Sequence, residues 1–515
     1  MSSFNLAIVG GGPRALSLLQ EIAALEHFNV QLNVTIFDPA KTLGAGNIYA
    51  ENQPLYFRMN HDCTNYTAYR DSFRKRYSTT PSYAEFCRLS NRVFEKIPAR
   101  SHIGSYLSSC ASYVLERLRL AGVRVTHKRE EVSRCLSKNH HWRIVAGAEH
   151  FDFDHVVFCT GHGVGVSHTE DAAQPLGIYT QKLSQDQFSS ESIAIIGSSL
   201  TAIDFILHAA HLRGIEFEMQ ADHVNRVIGQ TTKGCPIRCS SGSGRLILPK
   251  PNFGAKHLQA IDATLGAHLQ SLAMNSKSDT MEDLNRVMES SVLAHTGQAD
   301  NSSFSLSSWL DNWESMNFED SIRIGRSILN NSYELDQDAL VAALLGYYFR
   351  KLLPYYKSVI DYGASDGWQR AEFKRLSQRM ERIAFGPPLY NYSKVIALYD
   401  RGAVQFVDKL PTGCIPINAF LPSYKDSTQS SLFKAFKRDA HIAIDPFTDS
   451  IITNKMGSPN TTETNRTTSL QIYGRSVESW VVGHDSLPQI ASEPIALPNE
   501  LVFTDSNTPD LKLCV

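Results

Sequence analysis

The chain has 515 residues, 42% of them hydrophobic and 20% charged, enough for about three domains of ~150 residues. Its formal net charge is −2, so no global field recommends nucleic acid or an anionic membrane as a partner. No apolar run approaches the ~18 residues of a membrane span, and the N-terminus lacks the basic segment and apolar core of a signal peptide. The expected compartment is the cytoplasm. The nine cysteines are scattered, which argues for reduced thiols rather than a disulfide framework. Cys235 and Cys239 alone lie close together, and no second Cys/His pair stands at zinc spacing, so no metal is expected.

The first ordered stretch is Leu6 to Val9, four apolar residues that run into Gly10, Gly11, Gly12, Pro13, Arg14 and Ala15. Leu16, Leu19, Ile22 and Ala23 follow at helical spacing. Strand, glycine turn and helix in this order form a dinucleotide-binding signature. Gly10 permits the turn, Gly12 lets backbone approach a pyrophosphate, and small Ala15 lets helix and strand pack. The helix N-terminus presents N–H groups and a positive dipole end to phosphates. A second strand, Val34 to Phe37, ends on Asp38, placed to accept from ribose hydroxyls.

Residues 41–62 read as a long loop containing Gly44, Gly46, Arg58, Asn60 and His61. Such a loop is expected to fold under the cofactor. Residues 82–122 carry helical periodicity, and Gly122 ends it before a strand at 123–126. Short strands follow at 141–145, at 149–152 and from 154 on, the last ending in Thr160-Gly161.

A second cycle starts at Ile193 to Ile196, followed by Gly197-Ser198-Ser199-Leu200-Thr201-Ala202 and a helix. Ser199 stands where the middle glycine of the motif is expected. The strand at 215–219 is not followed by a Ser-Arg-Arg run that would clamp a 2′-phosphate; Arg226, Lys233 and Arg238 are loose candidates. Residues 255–384 read as helix-rich, with Val341 to Tyr356 as a core stripe and Arg370 to Arg382 as a solvated basic face. A Gly-Pro-Pro turn, a helix stopped by Gly402 and a strand come next. The tail returns to order at Leu470 to Gly474 and again at Ser479 to Leu487, which includes His484 and Asp485.

The expected fold is α/β, with two Rossmann-like dinucleotide-binding domains. The first spans residues 1–190 and 413–515. The second, at 191–412, is inserted in the first and carries the helical insertion 255–384.

GGGPRALSLL, GAGNIY with Asn60, Cys159-Thr160-Gly161-His162, GSSLTAID, FGPPLYNYSKVIALYDRGAV and YGRSVESWVVGHDSL together resemble one family. It is the FAD/NAD(P)-binding flavoproteins that include FAD-dependent urate hydroxylase and the nitrosuccinate-forming L-aspartate N-monooxygenase. The ornithine and lysine N-hydroxylases are more distant relatives of that group. The resemblance implies that Gly10, Gly12, Pro13, Arg14, Ala15 and Asp38 hold the FAD adenosine diphosphate. Asn60, Thr160 and Gly161 would border the cofactor, with Gly474, His484 and Asp485 on its C-terminal side. Gly197, Ser199 and Ala202 would face NADPH or NADH. One departure is Asn418-Ala419-Phe420-Leu421-Pro422, which stands where the family often has an Ala-Thr-Gly turn.

The implied activity is an FAD-dependent, NAD(P)H-using monooxygenase that hydroxylates a small amine or amino acid with O2 through a C4a-(hydro)peroxyflavin. An NAD(P)H–flavin oxidoreductase without oxygen transfer and a non-catalytic FAD-binding sensor are the rivals. His61 and His484 are the candidate proton acceptors, and Arg58 and Arg70 the candidate arginine forks for a substrate carboxylate. A homo-oligomer is open.

Overall fold

A computed structural model describes residues 2–138, 141–161, 176–177, 193–221, 223–229, 236–275, 280–296, 304–330, 335–419, 432, 442–448, 450–460, 469–477, 481, 486–493 and 495–501. The order begins β1 (Ser3–Val9), α1 (Pro13–Ala24), β2 (Gln31–Phe37), α2 (Asp71–Arg76), α3 (Tyr83–Leu89), α4 (Arg100–Leu120) and β3 (Arg124–Lys128). A three-stranded antiparallel sheet follows, made of β4 (Val132–Lys138), β5 (His141–Ala146) and β6 (Glu149–Phe153). Then come β7 (His155–Cys159), β8 (Leu176–Gly177), β9 (Ile193–Ile196), α5 (Leu200–Leu212), β10 (Glu216–Gln220), β11 (His223–Ile228) and β12 (Ile237–Ser240).

Six helices occupy the insertion: α6 (Ala255–Asn275), α7 (Met281–Thr296), α8 (Leu306–Ser315), α9 (Phe318–Asn330), α10 (Gln337–Ile360) and α11 (Gly367–Ala384). The chain continues through α12 (Leu389–Asp400), β13 (Val404–Phe406), β14 (Ile415–Asn418), β15 (Leu470–Tyr473) and α13 (Leu487–Ser492).

Two five-stranded parallel sheets organise the molecule. The first has the order β15-β7-β1-β2-β3 and the second β13-β12-β9-β14-β8. A parallel sheet needs cover on both faces. In the first sheet, Leu6 and Ile8 of β1 pack with α1 and α4, while Ala7 and Val9 turn to the β4–β6 sheet. The second sheet shares one core with the inserted helices, in which Tyr348, Phe349, Leu352 and Tyr356 of α10 are fully buried. The expected core stripe is therefore core.

Four sequence expectations change. The strand expected at 215–219 joins β11 in an antiparallel hairpin outside the second sheet, where β9 is flanked by β12 instead. The second sheet also takes β8 and β14, which lie outside the 191–412 span, because β14 pairs in parallel with β9 from Ile415 opposite Ile193. Strand β4 had no counterpart in the sequence reading. The basic face of α11 is not simply solvated, since Arg370 Nη2 lies 3.3 Å from the fully buried carboxylate of Asp445.

Candidate cofactor and active site

The C-terminal ends of β1, β7 and β15 meet at one edge of the first sheet, where open α/β sheets bind ligands. Gly10 has φ +97°, and a Cβ there would lie 2.4 Å from the carbonyl oxygen of Cys159. Gly474, at φ +101°, would place a Cβ 3.1 Å from the Gly161 nitrogen. Gly10, Thr160, Gly161 and Gly474 thus stand together. Gly12 differs. Its φ of −80° suits any residue, and a Cβ there would meet only Gly46 at 3.5 Å. Nothing in the protein requires glycine at that point, whereas a diphosphate lying on the backbone would.

Gly12 caps α1 without a side-chain hydrogen bond, and Pro13 takes the first helical position, where its missing N–H costs nothing. Ala15 is buried against the sheet. This cradle of glycines at an open helix N-terminus fits a dinucleotide diphosphate. Asp38 has a further role: its Oδ2 accepts from Gly11 N–H at 2.6 Å and its Oδ1 from Ala40 N–H at 2.8 Å. The carboxylate latches the glycine turn and keeps lone pairs for a ribose hydroxyl.

The second turn repeats the plan. Gly197 has φ +136° and abuts Ala419, Ser199 caps α5 without a side-chain bond, and Ala202 is fully buried. Ser198 Oγ donates to Ser241 Oγ at 2.8 Å, and Ser241 and Ser243 share a 3.0 Å hydrogen bond. Arg382 Nε reaches Ser198 Oγ at 3.4 Å. The run Ser241-Gly242-Ser243-Gly244-Arg245 follows β12, the true neighbour of β9. That is where a Rossmann-type sheet meets the adenosine ribose and its 2′ substituent. The serine-glycine run is visible in the sequence, but the hairpin strand at 215–219 stands between it and β9 in the chain. Of the earlier loose candidates, Arg226 lies in that hairpin, Arg238 lies in β12, and Lys233 lies outside the described residues.

The loop at 41–62 joins the two halves. Gly44 N–H donates to Gly11 O at 2.7 Å, holding the loop under the first turn. Farther on, Tyr56 OH bonds His208 Nδ1 of α5, and Asn391 Nδ2 of α12 donates to Tyr56 O at 3.1 Å. Arg100, which opens α4, pairs with Asp204 of α5 at 2.7 Å. Asn60 offers its carbonyl oxygen to the Lys250 ammonium from the other half. His61 stands beside them with Nε2 buried and unbonded. Burial and the Lys250 charge push its pKa down to about 4, so the ring is neutral at neutral pH and resists taking up a proton.

Three expected residues take other roles. Arg14 Nη2 pairs with Glu493 at 2.8 Å and its guanidinium lies 5.8 Å from the Tyr473 ring centre. Glu493 also takes Lys357 at 3.0 Å, so Arg14 ties α1 to the tail and the helical insertion. Arg70 is no substrate fork: Nε pairs with Glu21, Nη1 donates to Ile490 O at 3.2 Å and Nη2 to Glu493 O at 2.6 Å. Arg58 is likewise engaged, by Glu95 at 2.7 Å and Ile97 O at 3.1 Å. His484, Asp485 and Cys235 lie outside the described residues. Cys239 donates its thiol to Gly197 O at 2.9 Å. Burial pushes that thiol up to about 12, which suits packing and not redox chemistry. Among the described residues no His/Cys/Asp/Glu group could hold a metal, and no helix is long and apolar enough to cross a membrane.

Residues 7–163 match a family model, NAD_binding_9, described as FAD-NAD(P)-binding. That match takes in the end of β1, the first glycine turn and the strands β2, β3 and β7 of the first sheet. Among solved structures, cyclohexanone monooxygenase is 11% identical with a TM-score of 0.44, over 96% of this chain and 85% of that one. Bacillithiol disulfide reductase from Staphylococcus aureus is 16% identical with a TM-score of 0.29, over 52% of this chain and 65% of its own. The flavin-containing monooxygenase from Stenotrophomonas maltophilia is 13% identical with a TM-score of 0.28, over 47% of this chain and 58% of that one. The chain thus spans less than two thirds of the last two. No curated protein matches the sequence. The FAD-NAD(P)-binding match covers the first glycine turn, Asp38, Asn60, Thr160 and Gly161, so FAD and NAD(P)H are the cofactors this fold accommodates.

Proposed function

We propose that the protein is an FAD-dependent, NAD(P)H-using monooxygenase that hydroxylates a nitrogen of a small amine or amino acid. The observation that carries this reading is the pairing of two glycine turns on two parallel sheets, with Asn60, His61 and Lys250 drawn together where the halves touch. The first turn, with Gly10, Gly12, Gly161 and Gly474, would hold FAD; the second, with Gly197, Ser199 and Ala202, would hold the nicotinamide dinucleotide. Ser241 and Ser243 beside the second turn favour NADPH over NADH, since hydroxyl donors suit a 2′-phosphate.

When bound, FAD supplies electron transfer from the nicotinamide and activation of O2. Overall, the amine N–H, NADPH, H⁺ and O2 give N–OH, NADP⁺ and water. The chain's own residues position these groups, with His61, neutral at neutral pH, offering a hydrogen-bonding ring nitrogen beside them. The contacts of Tyr56 and Arg100 to α5 keep the two halves closed over the reacting groups, which excludes water.

The test is anaerobic mixing with NADPH, then aerobic turnover with pooled amino acids and amines. Flavin bleaching followed by hydroxylated product, with little peroxide, is expected. Bleaching with peroxide alone would leave an oxidoreductase without oxygen transfer. Bound FAD that neither nucleotide reduces would leave a sensor, the reading that Ser199 in the second turn favours.

A further inference from the structure

Lys250 and Arg350 form a pair of positive charges at the junction of the two halves. The segment carrying Lys250 is pinned to the turn after α11: Leu248 N–H donates to Arg382 O at 2.9 Å and Lys250 N–H to Pro387 O at 3.1 Å. Arg350, on α10, donates Nη1 to Ala384 O of the same turn. Both side chains are half-buried, and among the described residues neither has a carboxylate partner. Among the described residues the Lys250 ammonium is bonded to the Asn60 carbonyl oxygen only, beside the unbonded Nε2 of His61.

Two half-buried cationic side chains anchored at the same end of α11 with no carboxylate partner have lost part of their hydration, and such an arrangement is costly unless an anion completes it. The same strain appears in the amine: burial, with Arg350 adding to it, drives the Lys250 pKa down to about 7. A structural staple to Asn60 would need one neutral donor and no second cation.

We infer that Lys250 and Arg350 form an anion seat at the junction of the two halves, built to take a carboxylate or phosphate oxygen of a bound small molecule, with His61 beside it. The occupant's identity rests on the oxygenase reading. There the seat would hold the substrate carboxylate and leave the substrate amine toward His61, and it would replace Arg58 and Arg70 as the carboxylate-recognising group. A phosphate of the nicotinamide nucleotide offers the same chemistry.

The experiment is calorimetric titration of the full chain with succinate and, separately, with 2′,5′-ADP, comparing wild type, Lys250→Met, Lys250→Arg and Arg350→Lys. Removing a charged hydrogen bond of ~1.5–3 kcal/mol should weaken binding by about tenfold or more in Lys250→Met, with much of the affinity kept in the two charge-retaining variants. Loss confined to succinate assigns the seat to a carboxylated substrate, and loss confined to 2′,5′-ADP assigns it to the nucleotide. A wild type that binds neither, or a Lys250→Met protein that keeps its affinity for both, overturns the seat. A lowered melting temperature in Lys250→Met with unchanged affinities would also overturn it, in favour of a staple. Because the readout is binding, a protein that passes this test yet never reduces FAD refutes the oxygenase and not the seat.

Discussion

Arg100 and Asp204 meet across the two halves of the molecule, guanidinium Nη2 to carboxylate Oδ2 at 2.7 Å, with side-chain exposures of 11% and 4%. Burial raises the Asp204 pKa from 3.8 to about 6, against the pull of Arg100. The native value lies above the unfolded one, so the folded state takes up this proton first. Its contribution to stability therefore grows as pH falls through about 6 and is complete below about 4. Asp204→Asn should cost about 3 kcal/mol by stranding Arg100, and its deficit should be larger at pH 5 than at pH 7. Urea unfolding at both pH values checks this; a pH-independent deficit would rule out Asp204 as the titrating group.

Gly10 and Gly12 should respond differently to the same added methyl. Gly10→Ala pushes a carbon against the Cys159 carbonyl at a positive φ, so the protein should lose stability whether or not FAD is present. Gly12→Ala makes only an ordinary van der Waals contact with Gly46 at 3.5 Å, so the apoprotein melting temperature should stay near wild type. Its FAD affinity should fall about tenfold or more if a diphosphate lies on that backbone. Equal FAD affinity in Gly12→Ala and wild type would remove the cofactor from this turn.

Arg70 should behave as a strut. Arg70→Met frees Glu21 and the carbonyls at the end of α13, with an expected loss of about 3 kcal/mol. Proteolysis within the tail should become faster, while KM for any substrate stays unchanged. A raised KM with unaltered unfolding would return Arg70 to the binding machinery.

Ser241 tests the nucleotide preference. Its hydroxyl sits 2.8 Å from that of Ser198 in the second turn. An aspartate there would repel a 2′-phosphate and accept from a ribose 2′-hydroxyl instead. Ser241→Asp should lower the ratio of NADPH to NADH specificity by about tenfold or more, a change of ~1.4 kcal/mol. An unchanged ratio in steady-state flavin reduction would place the 2′-phosphate elsewhere.

What the sequence discloses follows the range of the interactions. The β1–glycine–α1 unit is legible because apolar strand, turn and amphipathic helix are consecutive. Of the six inserted helices only α10 and α11 are legible singly, through the stretches 341–356 and 370–382; the others read no more finely than helix-rich. β12 was passed over because it has only four residues and follows a hairpin that carries a stronger strand pattern. Arg70 looked like a fork because Glu21 and the carbonyls of Ile490 and Glu493 are far off in sequence. Lys250 and Arg350 gave no local signal at all; the turn at 384–387 brings them together from a hundred residues apart.

The first sheet takes its last strand, β15, from residue 470, after the whole second sheet and its helices. During synthesis the glycine turn at residues 10–12 emerges long before β15, and β7 keeps one bare edge until the second sheet and its helices have left the ribosome. Such an edge is a template for wrong pairing. The inserted half, by contrast, is an uninterrupted block and can fold while the first waits. The order of birth thus opposes the order of completion. A chain interrupted before residue 470 should accumulate as an aggregation-prone species with a mature second half and an unfinished first.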